Sequence, residues 1–275
     1  MKKIKIVYTI AIVLLVVGFG CKKEKIEISP EVASSDEALF KLGEKYIEKD
    51  PEKAQLYFRQ VIDSFPKSFY AQRAKLSIAD IYFKKGDEGN LIVAASEYRE
   101  FISLFPLSPS SSYAQYRIAM TYFKKVLAPG RDQTKTKQAL DEFKKVITNY
   151  PMSEEAKSSQ ENIRLCEEYL AEHTYGIGYY YYKVHVFKAS ISRLSEILTK
   201  YPNYSKMDNV YFFLGDSYLK WNKADQSIPY FTKLISDFPQ SKYAKNAVEI
   251  MKEIEKEQEG KKKIDNIKKD SAHGG

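Results

Sequence analysis

Residues 210–239, Val210 through Pro239, read VYFFLGDSYLKWNKADQSIPYFTKLISDFP. Apolar positions recur at steps of three and four, the period of a helix with one buried face. Leu214, Gly215 and Tyr218 lie on one such stretch, and Ser227 and Phe231 on a second. Phe238-Pro239 then ends the second stretch, because proline donates no backbone hydrogen bond and pushes its predecessor out of helical geometry. The segment predicts two helices joined by a turn near Trp221, followed by an enforced stop.

The same stop recurs along the chain. Aromatic–proline pairs stand at Phe65-Pro66, Phe105-Pro106, Tyr150-Pro151, Tyr201-Pro202 and Phe238-Pro239. Each closes a helix-like stretch: AQLYFRQVIDSFP, AASEYREFISLFP, ALDEFKKVITNYP, SISRLSEILTKYP and QSIPYFTKLISDFP. A small-residue–aromatic signature precedes each stop: Gly43, Tyr46, Ala54 and Phe58; Ala79, Tyr82, Ala94 and Tyr98; Ala119, Tyr122, Ala139 and Phe143; and Gly178, Tyr181, Ser190 and Leu194. A glycine inside a helix costs about 1 kcal/mol against alanine, so its recurrence at one register points to close helix approach. The expectation is that the tyrosine and the second-helix aromatic fill the gap to the next pair.

These signatures resemble tetratricopeptide (TPR) repeats. The resemblance implies an all-α fold, a TPR solenoid wound as a right-handed superhelix of helix–turn–helix units. About five repeats are expected, with an extra helix and a C-terminal capping helix. The first three repeats occupy 36–151. An inserted helix over about 154–172, repeats 4 and 5 and the cap occupy 152–258. The inserted segment EEAKSSQENIRLCEEYLAE is helix-forming and can run into the helix beginning near Tyr175, as one long or kinked helix, and 241–258 forms an amphipathic cap.

The ends read differently. Lys2, Lys3 and Lys5 precede an apolar run from Ile6 to Val17, and small Gly20 precedes Cys21, so residues 1–20 read as a secretory lipoprotein signal with Cys21 as the acylated residue. Residues 21–35 read as a flexible tether, and 259–275 as a disordered lysine-rich tail. The 275 residues carry 44 basic and 36 acidic side chains. Much of the basic excess sits in those ends, so no nucleic-acid partner is expected.

Catalytic signatures are absent from the sequence: there is no G-x-S-x-G, H-E-x-x-H, Walker loop or C-x-x-C. Cys166 is the one cysteine besides Cys21 and falls beside Ile163 and Tyr169, as packing would place it. His173 and His185 lie 12 apart with no third ligand nearby, and acidic residues are scattered over helix faces. The expectation is a binding protein rather than an enzyme, with no cofactor or metal.

The third repeat carries an expanded turn, Leu127-Ala128-Pro129-Gly130-Arg131-Asp132-Gln133-Thr134, in which Asp132 or Thr134 is placed to cap the next helix. Tyr179–Tyr182 form an aromatic run in the fourth repeat. Aromatics and arginine dominate binding hot spots, so Arg131, Tyr179 and Tyr180 are candidate partner-binding residues, and Asp132 and Gln133 join them as neighbours of Arg131 in the same loop. Tyr46, Tyr82 and Tyr122 stand at a register position that is usually core.

Taken together, the leader with Cys21, five repeats, the expanded third turn, the inserted helix and the strings FPKS, YPMS and FPQS are similar to outer-membrane β-barrel assembly lipoproteins of the BamD type. The resemblance implies a non-catalytic scaffold, lipid-anchored at the periplasmic face of the cell outer membrane. Its implied partners are the periplasmic domains of a BamA-like β-barrel insertase and unfolded outer-membrane proteins. It associates the N-terminal repeats with substrate and the C-terminal repeats with the insertase. Two other readings use the same repeats: a general periplasmic adaptor for envelope enzymes or cell division, and a nutrient-capture lipoprotein. The latter wants exposed Trp platforms, for which Trp221 alone is available.

Overall fold

The computed structural model describes residues 29–273. The predicted leader, the acylation candidate Cys21 and residues 22–28 of the tether lie outside the described residues. Eleven helices follow a short helical turn at Pro30–Ala33: α1 (Asp36–Tyr46), α2 (Pro51–Ser64), α3 (Phe69–Lys85), α4 (Glu88–Leu104), α5 (Ser111–Phe123), α6 (Thr134–Asn149), α7 (Glu154–Lys183), α8 (Phe187–Lys200), α9 (Met207–Lys220), α10 (Ala224–Asp237) and α11 (Ala244–His273). The described chain is all-α, and its pairs have the TPR form. It divides into two compact units, one ending at Ala74 and the other beginning at Lys75.

The helix ends follow from local chemistry. Ser35 accepts from the Ala38 N–H, Asp50 from Lys53, Asp87 from Asn90 and Ser153 from Ala156, each satisfying a first-turn donor. The aromatic–proline stops form one repeated device. Phe65, Phe105, Tyr150, Tyr201 and Phe238 all leave helical geometry at φ between −130° and −135°. Each still donates its N–H to the carbonyl four residues back, and each carbonyl then accepts from the residue three further on. The proline enforces the exit, and the aromatic ring stays against the helices it leaves.

Within each pair the small residue meets the second-helix side chain. In the first unit, a Cβ on Gly43 would lie 2.6 Å from the Phe58 ring. In the second unit, a Cβ on Gly215 would lie 2.8 Å from Phe231. Ala79 with Tyr98 and Ala119 with Phe143 repeat this packing, and all four side chains are fully buried. Burying one such ring contributes about 2–3 kcal/mol. The second-helix aromatics do both jobs: they close the seam inside a pair and also meet the next pair, Tyr98 beside Ala114 and Ile118, Phe143 beside Ile163 and Cys166, and Phe231 beside Ala247. Tyr46 on Tyr57 (5.6 Å) and Tyr218 stacked on Tyr230 (5.4 Å) likewise lie within pairs.

Polar links join one pair to the next. In the first unit the Ser68 hydroxyl donates to Asp36, at the start of α1. In the second unit Ser241 donates to Asp208 at 2.6 Å, which repeats the link one residue further apart in sequence. Between α3, α4 and α5, Asp80 accepts from the Tyr98 hydroxyl and from Tyr113 at 2.7 Å, while Arg117 pairs with Asp80 at 3.2 Å. The Arg117 guanidinium also lies 3.6 Å from the Phe83 ring centroid. Burial, reinforced by the Asp80 charge, raises the Tyr98 hydroxyl far above the ordinary phenol range. That phenol stays a donor at every physiological pH.

α7 runs unbroken for 30 residues. Its first half buries Ile163, Cys166 and Leu170 against Ala139, Leu140 and Phe143 of α6, and its second half packs on α8. Two segments differ from their compositional reading. Pro30–Ala33, inside the predicted tether, forms a capped turn because Ser29 accepts from the Val32 N–H and Pro30 is pre-set for a first turn. α11 packs Ala247 against Phe231 and Leu234 as the expected cap, and its backbone stays helical to His273. Lys, Glu and Gln are good helix formers, so a charged composition alone does not end a helix.

Candidate functional site

The expanded turn after α5 is a built loop. Ala128-Pro129-Gly130-Arg131 forms a tight turn closed by the Arg131 N–H on the Ala128 carbonyl at 2.9 Å. Gln133 is only 4% exposed. Its amide donates to the Ala128 carbonyl at 3.0 Å and the Arg131 carbonyl at 3.2 Å, and its oxygen accepts from Thr136 at 2.7 Å. Gln133 thus spends its hydrogen-bonding capacity inside the loop and presents nothing to a partner. Asp132 accepts from the Thr134 hydroxyl at 2.9 Å and from its N–H at 3.4 Å, which fixes the entry to α6. Arg131 and Asp132 are exposed.

One hydrogen bond fastens this loop to α7. The His173 Nδ1–H donates to the Pro129 carbonyl at 2.6 Å, which sets the tautomer because a carbonyl only accepts. Pro129 and Gly130 then form one wall of a cleft whose other wall is Glu172, His173, Gly176, Ile177, Tyr180 and Tyr181. Nothing lies within 4 Å of a Cβ built on Gly176, so the floor is open there. Tyr180 is 62% exposed, and Leu127, Val184 and Val186 extend the accessible apolar area.

The tyrosine run divides between two environments. Tyr180 faces the cleft, whereas Tyr179 is half-buried and packs edge-on against Phe213 of α9 at 4.9 Å, between Tyr175 (6.0 Å) and Tyr182 (6.1 Å). Tyr182 donates to Asp216 at 2.5 Å and accepts from Lys220 at 2.5 Å. Tyr179 is therefore part of the α7–α9 packing rather than an open contact. Of the five sequence-picked residues, the structure places Arg131, Asp132 and Tyr180 on accessible surface around one loop, and turns Gln133 and Tyr179 inward.

Sequence reasoning missed a second cleft, reached by Lys125 and Lys135 at the two ends of the same loop. Leu91, Ile92 and Ala95 of α4 form its floor, and Arg99, Tyr122, Lys125 and Lys135 its rim. Arg99 donates to the Tyr122 hydroxyl at 2.8 Å, and the Lys135 ammonium lies 5.5 Å from that ring. Tyr122 was read as core and is half-buried, with its hydroxyl held at this rim. The available signal was the exposed Ile92-Val93 pair, apolar residues on a helix whose buried stripe is already supplied by Leu91, Ala94 and Tyr98.

Cys166 is fully buried, and burial pushes its thiol up to about 12, which makes it a packing group. Among the described residues no cluster of three or more His, Cys, Asp or Glu side chains is arranged to hold a metal ion. No described helix is long and apolar enough to cross a membrane.

Residues 32–220 match the YfiO family, described as outer membrane lipoprotein, and residues 208–236 match a tetratricopeptide repeat. The chain belongs to the YfiO outer-membrane lipoprotein family. Among curated relatives, an outer membrane protein assembly factor BamD of Caulobacter vibrioides is 31% identical over 163 residues, 59% of this chain and 52% of the relative. The BamD of Rickettsia prowazekii is 27% identical over 257 residues, 92% of this chain and 98% of the relative. The chain thus matches about half the length of the first relative and nearly all of the second. Among solved structures, the TPR protein YrrB aligns with a TM-score of 0.34 at 10% identity, over 78% of this chain and 92% of its own. The two clefts and that loop lie within or beside the span shared with the YfiO family.

Proposed function

We propose that this chain is a non-catalytic scaffold of outer-membrane protein assembly, lipid-anchored through Cys21 at the periplasmic face of the outer membrane. The observation that carries the reading is the family match over residues 32–220, reinforced by relatives named as outer membrane protein assembly factors. The geometry supports it: helical pairs present a fastened loop with one cleft against its Pro129-Gly130 turn and another at its Lys125 and Lys135 ends, a form suited to polypeptide segments. In this reading the α7 cleft, with Arg131, Asp132 and Tyr180, docks a periplasmic domain of the β-barrel insertase. Unfolded outer-membrane proteins are the second partner.

The test is affinity capture of the membrane-anchored protein from gently solubilised envelopes, followed by identification of what co-purifies. The expected result is recovery of a β-barrel insertase with the wild-type chain and reduced recovery with Gly176→Leu, which fills the open floor. Recovery of cell-wall or division enzymes without any barrel protein would replace this reading with that of a general envelope adaptor.

A further inference from the structure

The residue after each stop proline lies at a turn between repeats. At four of these turns the second unit carries Leu107, Met152, Asn203 and Gln240. Leu107 is 96% exposed and Met152 95%, and neither side chain packs on the fold it belongs to. Leu104, also exposed, stands beside Leu107 at the end of α4. The sequence around them is unusual for so charged a chain. From Phe101 through Tyr116, FISLFPLSPSSSYAQY, 16 residues pass without an acidic or basic side chain, while 29% of the whole chain is charged.

The two apolar turns emerge on the same side of the unit. Arg99 and Glu142 meet at 3.7 Å, five residues before the end of α4 and seven before the end of α6. The segments that follow, Leu104–Leu107 and Tyr150–Met152, therefore leave the helices at a common edge. Leu104 and Leu107 flank an uncharged turn, and Met152 is a second apolar tip nearly free of the fold. Single exposed apolar tips suit a medium that takes side chains without shape complementarity, and a bilayer interface is such a medium.

The length of chain outside the described residues limits how far the start of the folded chain can stand from that medium. Eight peptide units separate Cys21 from Ser29, and they span at most about 29 Å in any conformation. A lipid on Cys21 would hold the start of the folded chain within that reach of the membrane. We propose that Leu107 and Met152, with Leu104, insert into the lipid interface and set the orientation of the tethered scaffold. This rests on the Cys21 anchor in the reading above. The anchor supplies the affinity, and the tips supply the direction.

The test uses the full chain in phosphatidylethanolamine–phosphatidylglycerol vesicles, with an environment-sensitive fluorophore on Leu107→Cys and, as control, on Lys137→Cys near the opposite end of α6. Buried Cys166, with its raised thiol, is not a labelling site. The probe at 107 is expected to shift to the blue and to be quenched by doxyl-labelled lipid, and the probe at 137 to do neither. Leu104→Glu with Met152→Glu is expected to reduce the quenching at 107 by about threefold without releasing the protein from the vesicles.

Equal, water-like emission from both positions on bound protein would overturn the proposal. A blue shift that grows with protein concentration in the absence of vesicles would overturn it in favour of a second copy of the chain. A shift that requires added insertase and resists lipid quenching would overturn it in favour of a protein partner. Mass measurement of the N-terminal peptide reads acylation separately. A Cys21→Ser form held to nickel-chelating lipid by an N-terminal histidine tag gives the same reading at 107 if Cys21 carries no lipid.

Discussion

Gly178 and Gly176 stand two residues apart on α7 and serve opposite ends. A Cβ on Gly178 would come 2.8 Å from Leu194 of α8, whereas a Cβ on Gly176 would meet nothing. Gly178 belongs to the packed seam, where absence of a side chain lets two helices touch. Gly176 belongs to the cleft, where the same absence leaves a floor open against the Pro129-Gly130 wall. Both residues weaken the helix intrinsically by about 1 kcal/mol. At Gly178 close packing offsets that cost, and at Gly176 no packing does. The difference separates positions that hold the scaffold together from positions that leave it available to partners.

The largest test of that contrast lies in the seam. Phe231→Ala is expected to lower stability by about 3–5 kcal/mol, because it leaves a cavity against Gly215, and urea unfolding reads it directly. The smaller change Gly215→Ala forces a methyl onto the same ring and should cost about 1–3 kcal/mol. Near-wild-type stability in either would break the account of the seam. The polar network beside it comes next. Asp80→Ala removes the acceptor of Tyr98 and Tyr113 and the partner of Arg117, and about 2 kcal/mol of destabilisation is expected in the same assay.

On the cleft side the expected signs reverse. Gly176→Leu should leave stability unchanged or raise it by up to about 1 kcal/mol, since leucine is the better helix former and its Cβ meets no neighbour. Tyr180→Ala should also leave stability near wild type while weakening insertase recovery by about tenfold. A large stability loss in either would show that the cleft is ordinary core.

The smallest expected effect concerns pH. Burial opposes ionisation of Glu172, but hydrogen bonds from Lys206 and Tyr204 outweigh it and hold its carboxyl below the usual range. A lowered folded-state pKa stabilises above the unfolded value, and this contribution is lost as pH falls through the lowered one. Glu172→Gln should therefore be less stable than wild type near neutrality, with the gap closing in acid. Unfolding midpoints across a pH series check the sign.

Much of the scaffold could be read from residue types alone. The five aromatic–proline stops fixed where second helices end, and small residues at one register marked the seams, because both signals act over a few residues. The helix across 154–183 was legible in type, but Gly176 and Gly178 left open whether it runs straight or kinks, and packing on α6 and α8 keeps it continuous. The site was legible only in part. Arg131 and Tyr180 are recognisable as partner-binding types, Asp132 stands beside Arg131, and all three surround one loop. Tyr179, of the same type as Tyr180, and Gln133, of the same loop as Arg131, face inward.

That division has a physical cause. Where a helix starts, stops and hides its apolar stripe depends on neighbours three or four residues away, which the sequence carries in order. Whether a tyrosine on that helix meets Phe213 or open water depends on a partner 34 residues distant for Tyr179, and on a loop some 50 residues earlier for Tyr180. A hydrogen bond from His173 to the Pro129 carbonyl ties that loop to α7 beside the cleft. No local pattern encodes that contact, so tertiary packing alone decided which of the recognisable residues stand at the surface together.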